Sequence, residues 1–184
     1  MEAKEKKQIR SDAVRHALFI AFEWIAIISV ILVVVAMAMT YIFRLVRVDG
    51  NSMEPSLFNN DRLLLSYSDT VYQTGDIIVI DRYTEEPLIK RVIAVGGDDV
   101  TVEIRDSKIY INDQELTEDY SVNSSVGEYY PKTEVPNGYL FVLGDNRDES
   151  KDSRSEDIGL ISVNDVIGKA TYRIWPPTRF GSVE

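Results

Sequence analysis

Hydrophobic and polar positions divide this chain into one long apolar run and a series of short alternating segments. Residues 24–43 contain no charged side chain, and about 20 helical residues rising about 1.5 Å each cross the roughly 30 Å core of a bilayer. Aromatic side chains stand at both ends of the run, as is typical of membrane interfaces: Trp24, Tyr41 and Phe43. A buried core helix usually has a shorter apolar stretch, so the pattern predicts a transmembrane anchor over residues 23–43.

Short apolar segments of strand length follow Arg44, and Gly, Asn, Asp and Pro residues that favour turns separate them. Strands are predicted at residues 62–66, 76–81, 88–95, 100–104, 108–111, 139–143 and 166–175. We found no second segment with the periodicity and length of a helix. The predicted fold class is therefore mainly β, with residues 44–184 forming an antiparallel β-sheet domain.

Two polar stretches interrupt the strands. Residues 113–135 are rich in Ser, Tyr and Glu and are predicted to be a loop excursion. Residues 144–159, "GDNRDESKDSRSEDIG", have the acid density of a calcium loop but not its spacing, because the third position from Asp145 is Arg147. We interpret this second stretch as a loop held by Asp–Arg pairs, and we predict no metal site.

The charge distribution predicts the orientation in the membrane. Residues 1–47 carry seven Lys and Arg against four Asp and Glu, whereas the remaining residues carry thirteen against twenty-six. By the positive-inside rule, residues 1–22 form a cytoplasmic basic tail and residues 44–184 lie outside the plasma membrane. Ala36 and Ala38 have the form of a signal cleavage site, but they lie inside the apolar run, which favours an uncleaved anchor. The acidic domain also excludes a nucleic-acid partner.

The absence of certain residue types narrows the possible chemistry. The chain has no cysteine and a single histidine, His16, which precedes the apolar run. Disulfides, thiol nucleophiles and the usual His/Cys zinc sites are excluded. A catalytic serine in the β domain would therefore need a lysine or a carboxylate as its base.

Ser52, in "GNSMEPSL" (residues 50–57), is the candidate nucleophile, and its base must be sought among five lysines of the domain. Those lysines are Lys90, Lys108, Lys132, Lys151 and Lys169. A lysine accepts a proton only when it is neutral, which burial among apolar groups favours. Strand alternation puts Lys90 on one face with Leu88 and Val92, so Lys90 is the best candidate. A solvent-facing lysine is the alternative, and spacing alone does not decide between them.

The chain contains three motifs in order: "GNSMEPSL" at residues 50–57, "IKRVIAVGGD" at 89–98 and "GDNRDESKDSR" at 144–154. Together they resemble the motifs of the type I (leader) signal peptidases, in the compact form found in Gram-positive bacteria. Their order and the single anchor that precedes them make the resemblance specific, and it covers the anchor and most of residues 44–175. It implies a membrane-bound serine endopeptidase with a β domain of the signal-peptidase type and with no cofactor.

Carried over by position, the resemblance assigns roles to ten residues. Ser52 is the nucleophile and Lys90 the general base, Ser150 orients the lysine amine, and Asp152 and Arg154 form a bracing salt bridge. The side chains beside or lining the substrate pockets are Val46, Val48, Met53, Leu57 and Ile89. Some family members have a serine two residues before the nucleophile that helps bind the oxyanion. Gly50 stands there in this chain, so the second oxyanion donor is left unassigned. Pro55-Ser56 also replaces the usual Pro-Thr.

The resemblance also implies a mechanism and partners. Neutral Lys90 would take the proton of Ser52 as the hydroxyl attacks a signal-peptide carbonyl, after small residues of the Ala-x-Ala type. The implied partners are signal peptides of exported preproteins and the lipid bilayer, with the secretion machinery as a further candidate. Ser52 follows Phe43 by only nine residues, which would keep the nucleophile near the outer membrane surface, where cleavage sites emerge.

Two other functions stay open at this point. The first is a self-cleaving Ser/Lys peptidase like the SOS-type repressors, whose catalytic core is similar. Those proteins have a DNA-binding domain, whereas this chain has a predicted membrane span in its place, which argues against this function. A non-catalytic, membrane-anchored β domain would make Ser52 a turn residue and Lys90 a surface charge. Cleavage of a separate preprotein would distinguish a signal peptidase from a self-cleaving enzyme. A rate that depends on a group of lowered pKa would distinguish an enzyme from a non-catalytic domain.

Overall fold

The computed structural model describes residues 2–67, 71–82, 86–120, 127 and 129–183, and the chain divides into two units between residues 42 and 43. The first unit is a single helix, α1, over Glu2–Ile42. Within it, Arg15–Met37 is long and apolar enough to cross a membrane. This span overlaps the anchor predicted at residues 23–43, whose exact bounds stay a prediction. Phe43, predicted as the last anchor residue, is instead the first residue of a strand and pairs with Ser66.

The second unit is built from short strands in the described residues, as the alternating pattern predicts. The strands are β1 Phe43–Arg47, β2 Arg62–Ser66, β3 Ile77–Ile80, β4 Leu88–Val95, β5 Thr101–Arg105, β6 Lys108–Ile111, β7 Gln114–Glu115, β8 Tyr129–Glu134, β9 Tyr139–Leu143, β10 Ile161–Ser162, β11 Val166–Trp175 and β12 Gly181–Ser182. Two single turns of 3₁₀-helix, Val163–Asp165 and Pro177–Arg179, flank β11. The mainly β prediction is confirmed.

The strands form two antiparallel sheets. The larger sheet has the order β1-β2-β11-β3-β4-β9-β10, with β12 added beside β11, and the smaller has the order β7-β6-β5-β8. Strands β4 and β9 lie side by side in the larger sheet, with Arg91 opposite Leu143 and Val92 opposite Val142. This pairing brings the two candidate motifs at 89–98 and 144–154 next to each other, although about fifty residues separate them in sequence.

Three clusters of buried side chains hold the β unit together. Strand β3 is buried on both faces, because Ile77 and Val79 pack in one cluster and Ile78 and Ile80 in another. The third cluster joins strands of both sheets, and its buried members are Ile93, Ala94, Val102, Ile104, Ile109, Val135, Phe141 and Leu143. A strand that is buried on both faces makes a rigid centre, and β4 pairs directly with it.

The prediction of a loop at 113–135 is wrong for part of that stretch. Residues 114–115 form β7, and residues 129–134 form β8, which pairs with β5. Most side chains of β8 are exposed, so the strand has no apolar alternation to reveal it. Backbone pairing with β5 and the packing of Tyr130 against Phe141 hold it in the sheet. The loop prediction for residues 121–126 and 128 lies outside the described residues.

Candidate active site

Ser52 lies in the loop between β1 and β2, residues 48–61, which we call the Ser52 loop. Gly50 has φ +88°, a left-handed conformation that turns the chain just before Ser52 and that glycine adopts without strain. Beyond Ser52, the side chains of Met53 and Leu57 are fully buried, and the Leu57 N–H donates to the Met53 carbonyl at 2.8 Å. The loop is therefore fixed to the core directly after the partly buried Ser52.

The far end of the Ser52 loop is held by a buried carboxylate. Asp61 is fully buried, and its oxygens accept from the Phe58 N–H at 3.0 Å, from Arg179 at 2.8 Å and from Arg173 at 3.3 Å. Arg173 also donates to the Ser56 carbonyl at 2.8 Å. Two arginines from the end of the chain thus fasten the loop to β11, a contact that the sequence did not indicate.

Lys90 reaches Ser52 from β4. The Lys90 Nζ lies 2.8 Å from the Ser52 Oγ and donates to it. Lys90 is only 3% exposed, and on the strand pairing it stands opposite the fully buried Ile78. The expected apolar surroundings are present, since Leu88 and Val92 belong to the same cluster as Ile78. The alternative of a solvent-facing lysine is therefore wrong.

Burial changes the acid–base behaviour of this amine. The pKa of Lys90 is lowered from 10.5 to about 8, chiefly because burial disfavours the ammonium form. The carboxylates of Asp152 and Asp145 act in the opposite direction and raise the pKa, whereas the charge of Arg154 lowers it. With a pKa near 8, about a tenth of the molecules carry a neutral Lys90 at pH 7, far more than for an ordinary lysine.

The loop over residues 144–154, the 144–154 loop, packs directly against the backbone of Ser52. The Asn146 N–H donates to the Ser52 carbonyl at 3.0 Å. A Cβ added at Gly144 would lie 2.4 Å from the same carbonyl oxygen and 2.3 Å from the Ser150 Oγ, which is closer than real Cβ atoms come. Position 144 therefore requires glycine for steric reasons.

Asp152 and Arg154 form the predicted ion pair. Arg154 donates to Asp152 through Nε at 2.8 Å and through Nη2 at 3.0 Å, and the Asp152 side chain is fully buried. Asp152 also accepts from the Gly144 N–H at 3.1 Å. The pair therefore closes the 144–154 loop on itself, as the interpretation of Asp–Arg pairing predicts.

The structure differs from the expectation for Ser150. We expected its hydroxyl to bond with the Lys90 amine, but the buried Ser150 Oγ has no hydrogen-bond partner within the described part of the chain. The physical reason is that the amine points at Ser52, while the Ser150 hydroxyl lies against Gly144. A buried hydroxyl without a partner costs about 1–3 kcal/mol, so this group stands ready to accept or donate a bond.

Sequence reasoning missed a second buried pair beside the site. Arg91 donates to both Asp145 oxygens at 2.8 Å, and both side chains are almost completely buried. Arg91 also donates to the Gly75 carbonyl at 2.7 Å and to the Ser56 Oγ at 3.3 Å. It thereby ties the Ser52 loop to the 144–154 loop. The position of Arg91 directly after Lys90 could have marked it as a residue of the site, but its partners could not be found because they are distant in sequence.

Two of the predicted pocket residues line a cleft in the described part of the chain. Val46 and Ile89 form part of the wall of a cleft of about 370 Å³, together with Arg47, Asp49, Glu86 and Pro87. Val48, Met53 and Leu57 do not line it; they are buried in a core cluster that also contains Ile89, with Val46 packed against it. These three side chains can support the floor of a pocket, and their contact with a substrate stays a prediction.

Comparisons with known proteins agree with the motifs. Residues 21–175 match the family described as signal peptidase, peptidase S26. Signal peptidase IB of Staphylococcus aureus is 32% identical over 178 residues, which cover 86% of this chain and 91% of that protein. Signal peptidase I of Bacillus licheniformis is 34% identical over 170 residues, 84% of this chain and 89% of that protein. A crystal structure of signal peptidase I from Enterococcus faecalis V583 matches with TM-score 0.47 and 34% identity, covering 55% of this chain and 97% of that one.

The lowered pKa of Lys90 predicts how a reaction at Ser52 depends on pH. Only the neutral amine accepts a proton, so kcat/KM should rise with pH through a midpoint of about 8, with a slope of one. The measurement is kcat/KM between pH 6 and pH 10, with tryptophan fluorescence as a control for folding. A kcat/KM that still rises tenfold per pH unit up to pH 10, as expected for an exposed lysine with a pKa of about 10.5, would contradict the assignment.

Proposed function

Because this chain belongs to the signal peptidase family, peptidase S26, we propose that it removes N-terminal signal peptides from exported preproteins, with Ser52 as nucleophile and Lys90 as general base. The observation that carries the assignment of residues is the 2.8 Å contact between the buried Lys90 amine and the Ser52 hydroxyl. A nucleophile within hydrogen-bond reach of its base is the arrangement that serine hydrolysis needs.

The proposed reaction has two halves. Neutral Lys90 takes the Ser52 proton as Oγ attacks the scissile carbonyl carbon, and the resulting ammonium gives that proton to the leaving amine when the peptide bond breaks. Lys90 then takes a proton from water, whose oxygen attacks the acyl ester, and returns it to Ser52 as the ester bond breaks. The Ser52 N–H, which makes no hydrogen bond to the described residues, is the first oxyanion donor, worth a few kcal/mol in the transition state.

The cleft beside Val46 and Ile89 supports an extended substrate. Strands β1 and β4 supply its two sides, and a peptide lying between them would pair with their main chains. Alternate side chains of that peptide would face the apolar wall, so residues at the first and third positions before the cut would be selected for small size. In this scheme Ser150 supplies a hydrogen bond to the Lys90 amine during turnover.

A preprotein cleavage assay in detergent tests the proposed dyad. Ser52→Ala and Lys90→Ala should each lower the cleavage rate on the order of 10⁴-fold or more, because each removes a reacting group. Lys108→Ala, which removes an exposed lysine paired with Glu115, is the matched control and should cleave normally. Turnover of a separate preprotein also distinguishes this function from self-cleavage, and near-normal activity of either dyad variant would refute the assignment.

We also propose that the outer face of β1, β2 and β11 contacts the lipid bilayer. Strand register aligns Leu45, Leu64 and Tyr172 in one row, and the next row contains Arg47, Arg62 and Trp175. Leu45 is 62% exposed, Trp175 50% and Phe180, just before β12, 66%. Exposed apolar and aromatic groups with adjacent arginines are typical of surfaces that bind anionic membranes.

Lipid-based quenching tests this surface directly. The chain has two tryptophans, so a Trp24→Phe variant reports on Trp175 alone. In anionic vesicles containing brominated lipid, Trp175 fluorescence should be quenched, because its ring would lie at the level of the headgroups and upper acyl chains. The same vesicles without bromine are the control. Unquenched emission from the reconstituted full chain would show that this face stays in water.

The basic flank of the helix supports an orientation in the plasma membrane with residues 1–22 in the cytoplasm and residues 44–184 outside the cell. The protein would then cross the membrane once. Protease added to intact cells should then digest the β unit and spare an epitope at the N-terminus. Protection of the β unit until the cells are lysed would show the reverse orientation. Contact with the secretion machinery stays a prediction from the family resemblance.

A further inference from the structure

The segment over residues 116–120, between β7 and β8, contacts the 144–154 loop. Leu116 packs against the cluster that joins the two sheets. Two residues further along, Glu118 accepts from both terminal nitrogens of Arg147. The Arg147 side chain is completely buried and that of Glu118 is 10% exposed. A charge buried to this degree needs its partner, because an unpaired one is strongly unfavourable.

Arg147 connects Glu118 to the backbone beside the proposed nucleophile. Its Nε donates to the Gly144 carbonyl at 2.9 Å, and its own carbonyl accepts from Arg154 at 2.7 Å. Gly144 is the residue that packs without a side chain against the Ser52 carbonyl. A continuous path of bonded or tightly packed groups therefore leads from Glu118 through Arg147 and Gly144 to Ser52.

Tyr120, on the same segment, contacts the other buried arginine. The Arg91 guanidinium carbon lies 4.1 Å from the centre of the Tyr120 ring, a distance that suits a cation–π contact. Burial, followed by the charge of Glu118, raises the pKa of the Tyr120 phenol well above its usual range, so the ring stays neutral. Arg91 holds Asp145, so one short segment supports both arginines that fix the start of the 144–154 loop.

We propose that Glu118 and Tyr120 brace the 144–154 loop against Ser52, and that Glu118 is a positioning residue for the proposed peptidase reaction. This role rests on the proposed function, and it would give residues 116–120 of the polar stretch 113–135 a part in catalysis. Glu118 does not touch the reacting atoms. It acts through Arg147, which would otherwise be a buried charge without a carboxylate, and through the Gly144 carbonyl that Arg147 holds.

Kinetics of the full chain in detergent test the brace with the variants Glu118→Leu, Arg147→Met and the two combined. For Glu118→Leu, kcat should fall on the order of 10–100-fold, because a displaced loop misplaces the dyad. KM should stay within about twofold, since the cleft at Val46 and Ile89 is untouched. The pH midpoint should rise from about 8 as water reaches Lys90, whose charged neighbours are Asp152, Asp145 and Arg154.

The double variant separates positioning from stability. It leaves no unpaired buried charge, so its thermal unfolding midpoint should recover relative to Glu118→Leu. Its kcat should stay low, because Arg147→Met removes the donor to the Gly144 carbonyl. Glu118→Gln, which keeps the shape of the side chain, serves if Glu118→Leu does not fold. Asp113→Asn breaks an exposed pair with Lys132 in the same excursion and should change nothing.

Three results would overturn the proposal. The first is normal kcat in a folded Glu118 variant, and the second is a kcat that recovers together with stability in the double variant. The third is a loss confined to KM, which would mean that the segment touches the substrate. Failure of the proposed function is distinguishable from all three, because in that case the wild type itself would not cleave the preprotein.

Discussion

The contact between an uncharged amine and a hydroxyl governs the rest of this structure. Lys90 works as a base only if its ammonium form is disfavoured, yet the β unit is strongly acidic and two buried carboxylates, Asp145 and Asp152, lie near enough to raise its pKa. Burial outweighs them. The arginines that pair with these carboxylates help, because Arg91 and Arg154 neutralise the charges that would stabilise the ammonium.

Main-chain contacts help to bring the three motifs together. Ser52 is located by its carbonyl, which accepts from the Asn146 N–H and packs against Gly144. Lys90 is located by strand pairing beside β3. Backbone groups tolerate little displacement, so the dyad distance is set by the fold itself and does not depend on the rotamers of flexible surface side chains. Such preorganisation is what positions a nucleophile for attack.

The alternation of apolar and polar residues predicted most of the fold, because most strands around the site have that alternation. The predicted strands at 62–66, 88–95 and 108–111 have the same bounds as β2, β4 and β6, since apolar alternation and flanking turns coincide there. The motifs likewise identified the Ser52–Lys90 pair. β8 escaped prediction because its exposed polar residues carry no periodic signal. The partners of Arg91 and Arg147 could not be predicted, because Asp145 and Glu118 lie 54 and 29 residues away and spacing contains no information about such contacts.

The number of buried ion pairs around one hydroxyl is itself informative. Replacing a buried pair with apolar residues of similar volume is often neutral or stabilising, so such pairs are a poor way to make a domain stable. Here the pairs Arg91–Asp145, Arg147–Glu118 and Arg154–Asp152 all end at the 144–154 loop. Apolar contacts have no preferred direction and would allow the loop to shift. Bidentate guanidinium–carboxylate bonds fix both the distance and the angle between the two side chains. These pairs therefore hold Gly144 against Ser52 with a defined geometry, and a shift of the loop would admit water to Lys90 and favour its charged form.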